Sequence, residues 1–391
     1  MTEVYRARSG ICHNLAMDQR SPIASDQLGA DTALLDRIRG WGDALGFQAL
    51  GFTGVDLQQH EEYLQKWLAK GYHGEMEWMA RHGSKRSQPN ALVPGTCTVI
   101  TARMDYLPEG ADAEQVLSQS ELAYISRYAL GRDYHKLMRA RLAKLARQIE
   151  TQLGTGRYRA FVDSAPVLER ALAENAGLGW IGKNSMLIHP DLGSHLMLGV
   201  ILCDAELRPD VQVTDHCGTC RACLDVCPTQ AFAEPYVLDA TKCLSYTTIE
   251  TKGEIPEEVR ALQGEHVFGC DLCQTVCPWN RSRPKAWPAD PLGLRTRLAK
   301  REEWERPTLT WLLTLDEETF RTASHKTAIR RAGRVGLIRN ALVAAGNSGD
   351  RTLLPEIALH EDGDDPLLAE HARWARVQLE GLEAEGGYRD N

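Results

Sequence analysis

At 391 residues the chain is too long for one ordinary core, and two or three domains are the starting expectation. With 43% hydrophobic and 25% charged residues, 33 Gly and 17 Pro, it has the composition of a globular protein, which excludes a fibrous or low-complexity chain. The formal net charge of −8 excludes a general polyanion binder, so any nucleic-acid contact has to come from a local basic patch.

Residues 1–30 are polar and irregular and are expected to form a leader. Arg6, Arg8, His13, Asp18 and Arg20 break every apolar stretch there, so no secretory signal is expected. No run of about 18 apolar residues occurs, which argues against a transmembrane helix. The expectation is a cytoplasmic protein without membrane contact, and a monomer. Leu34, Leu35, Ile38, Trp41 and Leu45 recur at helical spacing, and Phe47-Gln-Ala-Leu-Gly-Phe52 follows as a strand. A second helix is predicted from Leu57 to Lys70. After a break at Pro89 to Gly95, Thr98-Val-Ile-Thr101 is a strand. Tyr134 to Leu153 is a long helix with Leu137, Leu142, Leu145, Ile149 and Leu153 on one side. Arg159-Ala-Phe-Val-Asp163 is a strand, Val167 to about Ala176 a helix, and the apolar run His195 to Cys203 a buried strand. This alternation over residues 31–205 predicts an α/β domain.

A cysteine-rich module spans 206–285. Trp287 opens a linker punctuated by Pro288, Pro291 and Pro307. Over 308–391 the pattern is one of short helices, with apolar repeats in Ile329 to Leu342, Leu353 to Leu359 and Trp374 to Leu379. The third domain, 286–391, is therefore expected to be helical and to resemble a small HEAT-type solenoid. The fold class as a whole is a multidomain α/β or α+β protein.

Eight of the eleven cysteines fall between Cys217 and Cys277, while Cys12, Cys97 and Cys203 stand apart. Such clustering argues for metal and not for disulfides. Cys217, Cys220, Cys223 and Cys227-Pro228 have the spacing of bacterial ferredoxins, in which three thiolates hold one cluster and the fourth reaches across to another. Cys243, Cys270, Cys273 and Cys277-Pro278 supply the rest. Two 4Fe–4S clusters are expected, one on Cys217, Cys220, Cys223 and Cys277, the other on Cys227, Cys243, Cys270 and Cys273. Paired Cys-x-x-Cys also builds zinc ribbons, but the Cys-Pro endings and the three consecutive spacings favour iron–sulfur. Clusters move electrons and do no bond chemistry, so the preceding domain should hold an acceptor. It has no G-x-G-x-x-G after its first strand and no phosphate-binding P-loop. A flavin, a corrinoid or a protein partner remains.

Ser126-Arg-Tyr-Ala-Leu-Gly-Arg-Asp-Tyr-His135, Phe161-Val-Asp-Ser-Ala-Pro-Val-Leu-Glu-Arg170 and Gly179-Trp-Ile-Gly-Lys-Asn184, followed by the cysteine pattern, resemble the epoxyqueuosine reductases from about residue 30 onward. The resemblance implies a cytoplasmic oxidoreductase that removes the epoxide oxygen of epoxyqueuosine at the wobble position of tRNA, the last step to queuosine. It implies base-off cobalamin between the first domain and the clusters, and an electron donor, either a protein yet to be identified or a flavodoxin-type reductant.

The same resemblance makes Asp163 the proton donor, for which a raised pKa is expected from burial beside the corrin. Asp163 stands before a helix, and an N-cap is the competing role. His135, in Asp133-Tyr-His-Lys-Leu-Met138, partly echoes the corrinoid motif D-x-H-x-x-G. The missing Gly argues against a His-ligated cobalt and leaves His135 as a substrate or corrin contact, or as an ordinary first-turn histidine. Ser126 occupies a position where some relatives carry Cys. Arg86 and Lys183 are candidates for corrin amides or the nucleotide tail, and Ser245, Thr251 and Lys252 for further cofactor contacts. From Arg321 to Arg339 the basic residues Arg321, Lys326, Arg330, Arg331, Arg334 and Arg339 run without an acidic one. Such a run is either a solvated face or a phosphate-binding strip, and the resemblance favours Lys326, Arg330, Arg331, Arg334 and Arg339 as tRNA contacts. A corrinoid reductive dehalogenase and a plain ferredoxin-type electron carrier are the competing functions. The first class usually carries an export signal and has no use for a basic helical tail; the second would bind no corrinoid.

Overall fold

The computed structural model describes residues 25–106, 113–154, 156–281 and 292–386. Most of the expected leader, and the linker prolines 288 and 291, lie outside these residues. Helix α1 (Ser25–Ala44) begins inside the stretch expected to be irregular. Strand β1 (Ala49–Thr53), helix α2 (Gln58–Ala69), strand β2 (Thr98–Asp105), helix α3 (Tyr134–Leu153), strand β3 (Tyr158–Phe161), helix α4 (Glu169–Asn175) and strand β4 (Leu196–Cys203) follow, within a few residues of the sequence expectation.

The strands form one sheet in the order β1-β2-β4-β3, and every neighbouring pair is antiparallel. This corrects the α/β expectation: the first domain is α+β. Helix–strand alternation carries no information about strand direction, and here both faces of the sheet are covered, a property usually associated with parallel sheets. On one face Ile100, Ala102, Met104, Ile201 and Cys203 meet Leu34, Leu35 and Ile38 of α1 and Met138, Leu142, Leu145 and Ile149 of α3. On the other, Val99, Val200 and Leu202 meet Val167, Ala171 and Leu172. Each of these buried large side chains contributes roughly 1.5–3 kcal/mol. Gly199 lets α3 approach, since a Cβ there would lie 2.6 Å from Leu142 Cδ1. Asp133 caps α3 by accepting from the His135 amide, and Gly154, at φ +70°, ends it.

The cysteine module consists of short helices, an antiparallel pair of strands, Phe232–Glu234 and Val237–Leu238, and a third strand, His266–Phe268, paired in parallel with Tyr124–Ile125 of the first domain. Beyond it α5 (Gly333–Ser348), α6 (Leu354–Glu361) and α7 (Pro366–Gly386) pack together. The core beneath them crosses the expected domain boundaries. It contains Ala123, Ile125 and Leu130, then Val267 and Phe268, then Leu337, Ile338 and Leu342. Among the described residues no helix is long and apolar enough to cross a membrane.

Candidate active site

The chain leaves β3 through a tight turn in which the Ser164 amide donates to the Val162 carbonyl at 2.5 Å. Asp163 sits at its centre with φ +53°, a left-handed conformation that a non-glycine residue adopts at a cost of about 1–2 kcal/mol. Its side chain is 49% exposed, so the turn presents a carboxylate to solvent at the end of β3. Behind it, the start of α3 supplies two donors to Asp163 Oδ2: His135 Nε2 at 2.8 Å and the Tyr134 hydroxyl at 3.2 Å. The other imidazole nitrogen, Nδ1, lies 2.5 Å from Asp133 Oδ1. Tyr134 and His135 stack with ring centres 4.3 Å apart.

Burial alone would lower the His135 pKa, but the hydrogen bonds and charges of Asp133 and Asp163 outweigh it and push it up to about 9. For Asp163, burial works upward, yet His135, Arg331 and Tyr134 together hold the carboxyl below its ordinary range. The direction is opposite to the one that burial beside a corrin would give. Both shifts favour an imidazolium–carboxylate pair near neutral pH. Both ring nitrogens of His135 are engaged by carboxylates, Nδ1 by Asp133 and Nε2 by Asp163.

Arg86 is buried: Nε donates to the Met79 carbonyl at 3.2 Å and Nη2 to the Trp78 carbonyl at 2.8 Å. Burial lowers its pKa, opposed by the charges of Glu169 and Asp163. It is therefore a fixed cation behind the site and not a free arm for corrin amides. Lys183 Nζ donates to the carbonyls of Gly218 and Cys220, at 2.6 and 2.9 Å, and fastens a cysteine loop. Ser126, 2% exposed, donates to Asp271 Oδ1 at 2.6 Å. The Tyr124 hydroxyl and the Arg127 amide both reach Asp271 Oδ2 at 2.8 Å. Ser245 accepts from the Cys270 amide at 3.0 Å. Thr251 is buried with its carbonyl on Arg339, and Lys252 Nζ donates to the carbonyls of Ile249 and Arg331.

The eight cysteines of the module influence one another electrostatically. Burial, then the charges of Cys217, Cys277 and Cys220, push the Cys223 thiol up to about 11. Cys270 is raised by burial and by Cys243, Asp271 and Cys227, and Cys273 by burial, Cys270, Cys243, Asp271 and Cys223. Trp180 Nε1 donates to Cys217 Sγ at 3.5 Å. The ring of Trp180 lies edge-on to Trp279, 5.1 Å away.

The basic run divides. Lys326 and Arg330 are exposed, and His325 beside them is held below its ordinary pKa, first by Lys326 and also by Arg301, Arg330 and Arg132. Positive charge from three separate segments therefore converges here. Arg321 and Arg334 face Glu318 and Glu317, at 4.0 and 3.2 Å. Arg331 lies beside Glu250, and its charge reaches Asp133 and Asp163. Arg339 contradicts the expectation of an RNA contact: it is 1% exposed and donates to the carbonyls of Thr247, Thr251 and Gly253 and to Asn340. Its helical position faces the core, which a count of charges along the chain does not register.

Sequence reasoning passed over Tyr134, Glu169 and Asp271. Tyr134 was visible beside His135. Asp271, between two cluster cysteines, carried no signal separating it from loop polarity.

The family described as "4Fe-4S double cluster binding domain" matches residues 216–280, and that described as "Epoxyqueuosine reductase QueG, DUF1730" matches residues 86–164. The epoxyqueuosine reductase of Pseudomonas aeruginosa is 48% identical over 90% of this chain and 97% of its own. That of Escherichia coli (strain K12) is 47% identical over 88% of this chain and 89% of its own. A crystal structure of epoxyqueuosine reductase with an epoxyqueuosine-modified tRNA-Tyr stem loop superposes with TM-score 0.80 at 28% identity, over 92% of this chain and 96% of that one. The Streptococcus thermophilus enzyme gives 0.76 at 27% identity, over 91% and 95%. With relatives this similar over nearly the whole length, the chain belongs to the epoxyqueuosine reductase family.

Proposed function

We propose that this chain reduces epoxyqueuosine to queuosine at the wobble position of tRNA, with Asp163 delivering a proton that His135 stores. The observation that carries the reading is the hydrogen-bonded chain from Asp133 through His135 to a half-exposed Asp163. The overall change breaks both C–O bonds of the epoxide, forms a C=C bond and releases water, consuming two electrons and two protons. The imidazolium Nε2–H supplies a proton to Asp163, and Asp163 carries it to the departing oxygen. Tyr134 fixes the carboxylate from the side and, by occupying Oδ2 together with His135, leaves Oδ1 to face the reactants.

The double-cluster match over residues 216–280 and the cysteine spacing support two 4Fe–4S clusters, which Cys217, Cys220, Cys223 and Cys277 and Cys227, Cys243, Cys270 and Cys273 would hold. Cobalamin is the acceptor that the family resemblance implies. An engaged imidazolium and a half-exposed carboxylate fit a cofactor held by hydrogen bonds and needing no cobalt ligand from His135, with Asp163, Ser245 and Lys252 as the residues that would hold it. When bound, cobalamin supplies the low-potential reducing centre. Lys326 and Arg330, with Arg132 and Arg301, form the phosphate-binding rim. A wobble base unstacked from the loop would then reach Asp163.

The test is anaerobic reconstitution with iron, sulfide and cobalamin, followed by assay on tRNA carrying epoxyqueuosine. The expected result is cobalamin-dependent conversion, abolished in Asp163→Asn while cluster absorbance is unchanged. Conversion without cobalamin overturns the cofactor assignment, and full activity of the variant removes Asp163 from the mechanism.

A further inference from the structure

The indole of Trp180 is aimed at a cysteine sulfur and takes no part in the proton chemistry at Asp163. After α4 the chain forms a short hairpin, Trp180–Ile181 paired antiparallel with Leu187–Ile188. Its root is fixed by the Ile181 amide, which donates to Glu174 Oε1 at 2.7 Å, and by Arg170, which donates to the Ser185 carbonyl. The hairpin grips the cysteine module through three side chains. Trp180 Nε1 donates to Cys217 Sγ at 3.5 Å, Lys183 Nζ to the Gly218 and Cys220 carbonyls, and Asn184 Nδ2 to the Cys273 carbonyl at 3.2 Å. Trp180 is 1% exposed and packs with Ile188 and Cys277. Trp279 and His216 stand edge-on to its ring, each 5.1 Å away. The ring is thus held in one orientation. A buried indole N–H needs an acceptor, and here the acceptor is the Cys217 sulfur.

We propose that Trp180 is a positioning residue of the electron path: through Cys217, its indole N–H raises the reduction potential of the cluster on Cys217, Cys220, Cys223 and Cys277. The proposal rests on the reading of those four cysteines as the ligands of one 4Fe–4S cluster. Such a cluster gains one negative charge on reduction, and a donor on a ligand sulfur stabilises the more charged form. The Lys183 ammonium, fastened to the same loop, acts in the same direction. Asp215 opposes both, since its Oδ1 accepts from the Cys217 amide at 2.6 Å and sets a carboxylate beside that residue. A hydrogen bond is directional, so the indole nitrogen carries the effect and the bulk of the ring does not. Cys220 is exposed while Cys277 is buried, which gives this cluster one edge at the surface. A raised potential at that edge favours capture of an electron from the donor.

Two measurements on the anaerobically reconstituted holoenzyme test this. The first is pulsed EPR of the reduced enzyme labelled with 15N at the tryptophan indole nitrogens. The wild type should show a 15N coupling to one cluster, missing in Trp180→Phe and kept in Trp279→Phe. The second is an EPR-monitored redox titration of that cluster. Trp180→Phe keeps an aromatic ring in place and removes the N–H. At the potential where the wild-type cluster is half reduced, the variant's ratio of reduced to oxidised cluster should fall about tenfold, a shift of about 59 mV to lower potential for a one-electron centre. Trp279→Phe trims the neighbouring indole, whose N–H donates to no cysteine among the described residues, and should leave the midpoint unmoved. The absence of the coupling in the wild type overturns the proposal even where a variant loses its cluster. An unmoved midpoint in Trp180→Phe, or equal shifts in the two variants, overturns it too and leaves the reductase reading standing. A wild type with the coupling and the shift that converts no epoxyqueuosine leaves Trp180 its role and overturns the functional reading. A wild type that assembles no 4Fe–4S cluster overturns both.

Discussion

His135 is bound by carboxylates on both ring nitrogens, and that decides how its proton responds to pH. With a folded pKa of about 9 against an ordinary value of 6.5, the folded protein holds this proton more tightly than the unfolded chain does. The stability it confers is fully present below about pH 6.5 and is lost as pH rises through about 9. Ring NMR should therefore find His135 protonated throughout the neutral range. Asp133→Asn removes one partner and should bring the midpoint down towards the ordinary value; an unmoved midpoint would detach Asp133 from the charge balance. Asp163 and His135 could be read from the sequence as members of one site. The direction of the Asp163 shift could not, because it is set by side chains brought from 28 residues away at His135 and from the C-terminal helices at Arg331.

At the scale of elements, periodicity located the helices and strands well because each has one or two apolar faces, as α3 does from Met138 to Ile149. It could not say which charged residues of a helix point inward. Arg339 and Arg330 lie nine positions apart in one basic run, yet one is locked to three carbonyls and the other is in water. Their variants should separate cleanly. Arg339→Ala strands those carbonyls and should lower stability to denaturant by about 3 kcal/mol or more, with the salt dependence of tRNA binding unchanged. Lys326→Gln with Arg330→Gln should leave stability within about 0.5 kcal/mol and flatten that dependence by roughly 0.7 to 0.9 for each phosphate that is no longer neutralised. A salt slope that stays the same returns these two side chains to the solvent.

For the molecule as a whole, the cysteine spacing marked out a module, but the three expected domains do not fold around three separate cores. Domain reading from sequence rests on composition and linkers, whereas burial here is set by strand His266–Phe268, which pairs with Tyr124–Ile125 and lies under α5. Asp271 ties the same junction, taking hydrogen bonds from Tyr124, Ser126 and Arg127 while flanked by Cys270 and Cys273. Asn340 adds a link from α5 to the Thr248 and Val267 carbonyls, both at 2.8 Å. Cluster ligands, the turn that carries Ser126 and the C-terminal helices are thus parts of one packed body. Phe268, fully buried at its centre, is the residue whose loss all three should feel. Phe268→Ala should cost about 3–5 kcal/mol. In anaerobic denaturant titrations of the cluster-loaded protein, loss of visible cluster absorbance and loss of helical circular dichroism should shift together, by the same change in midpoint. If the clusters were released at lower denaturant while the helical signal kept its wild-type midpoint, the module and the helices would be independent units, and the shared core would not be what couples them.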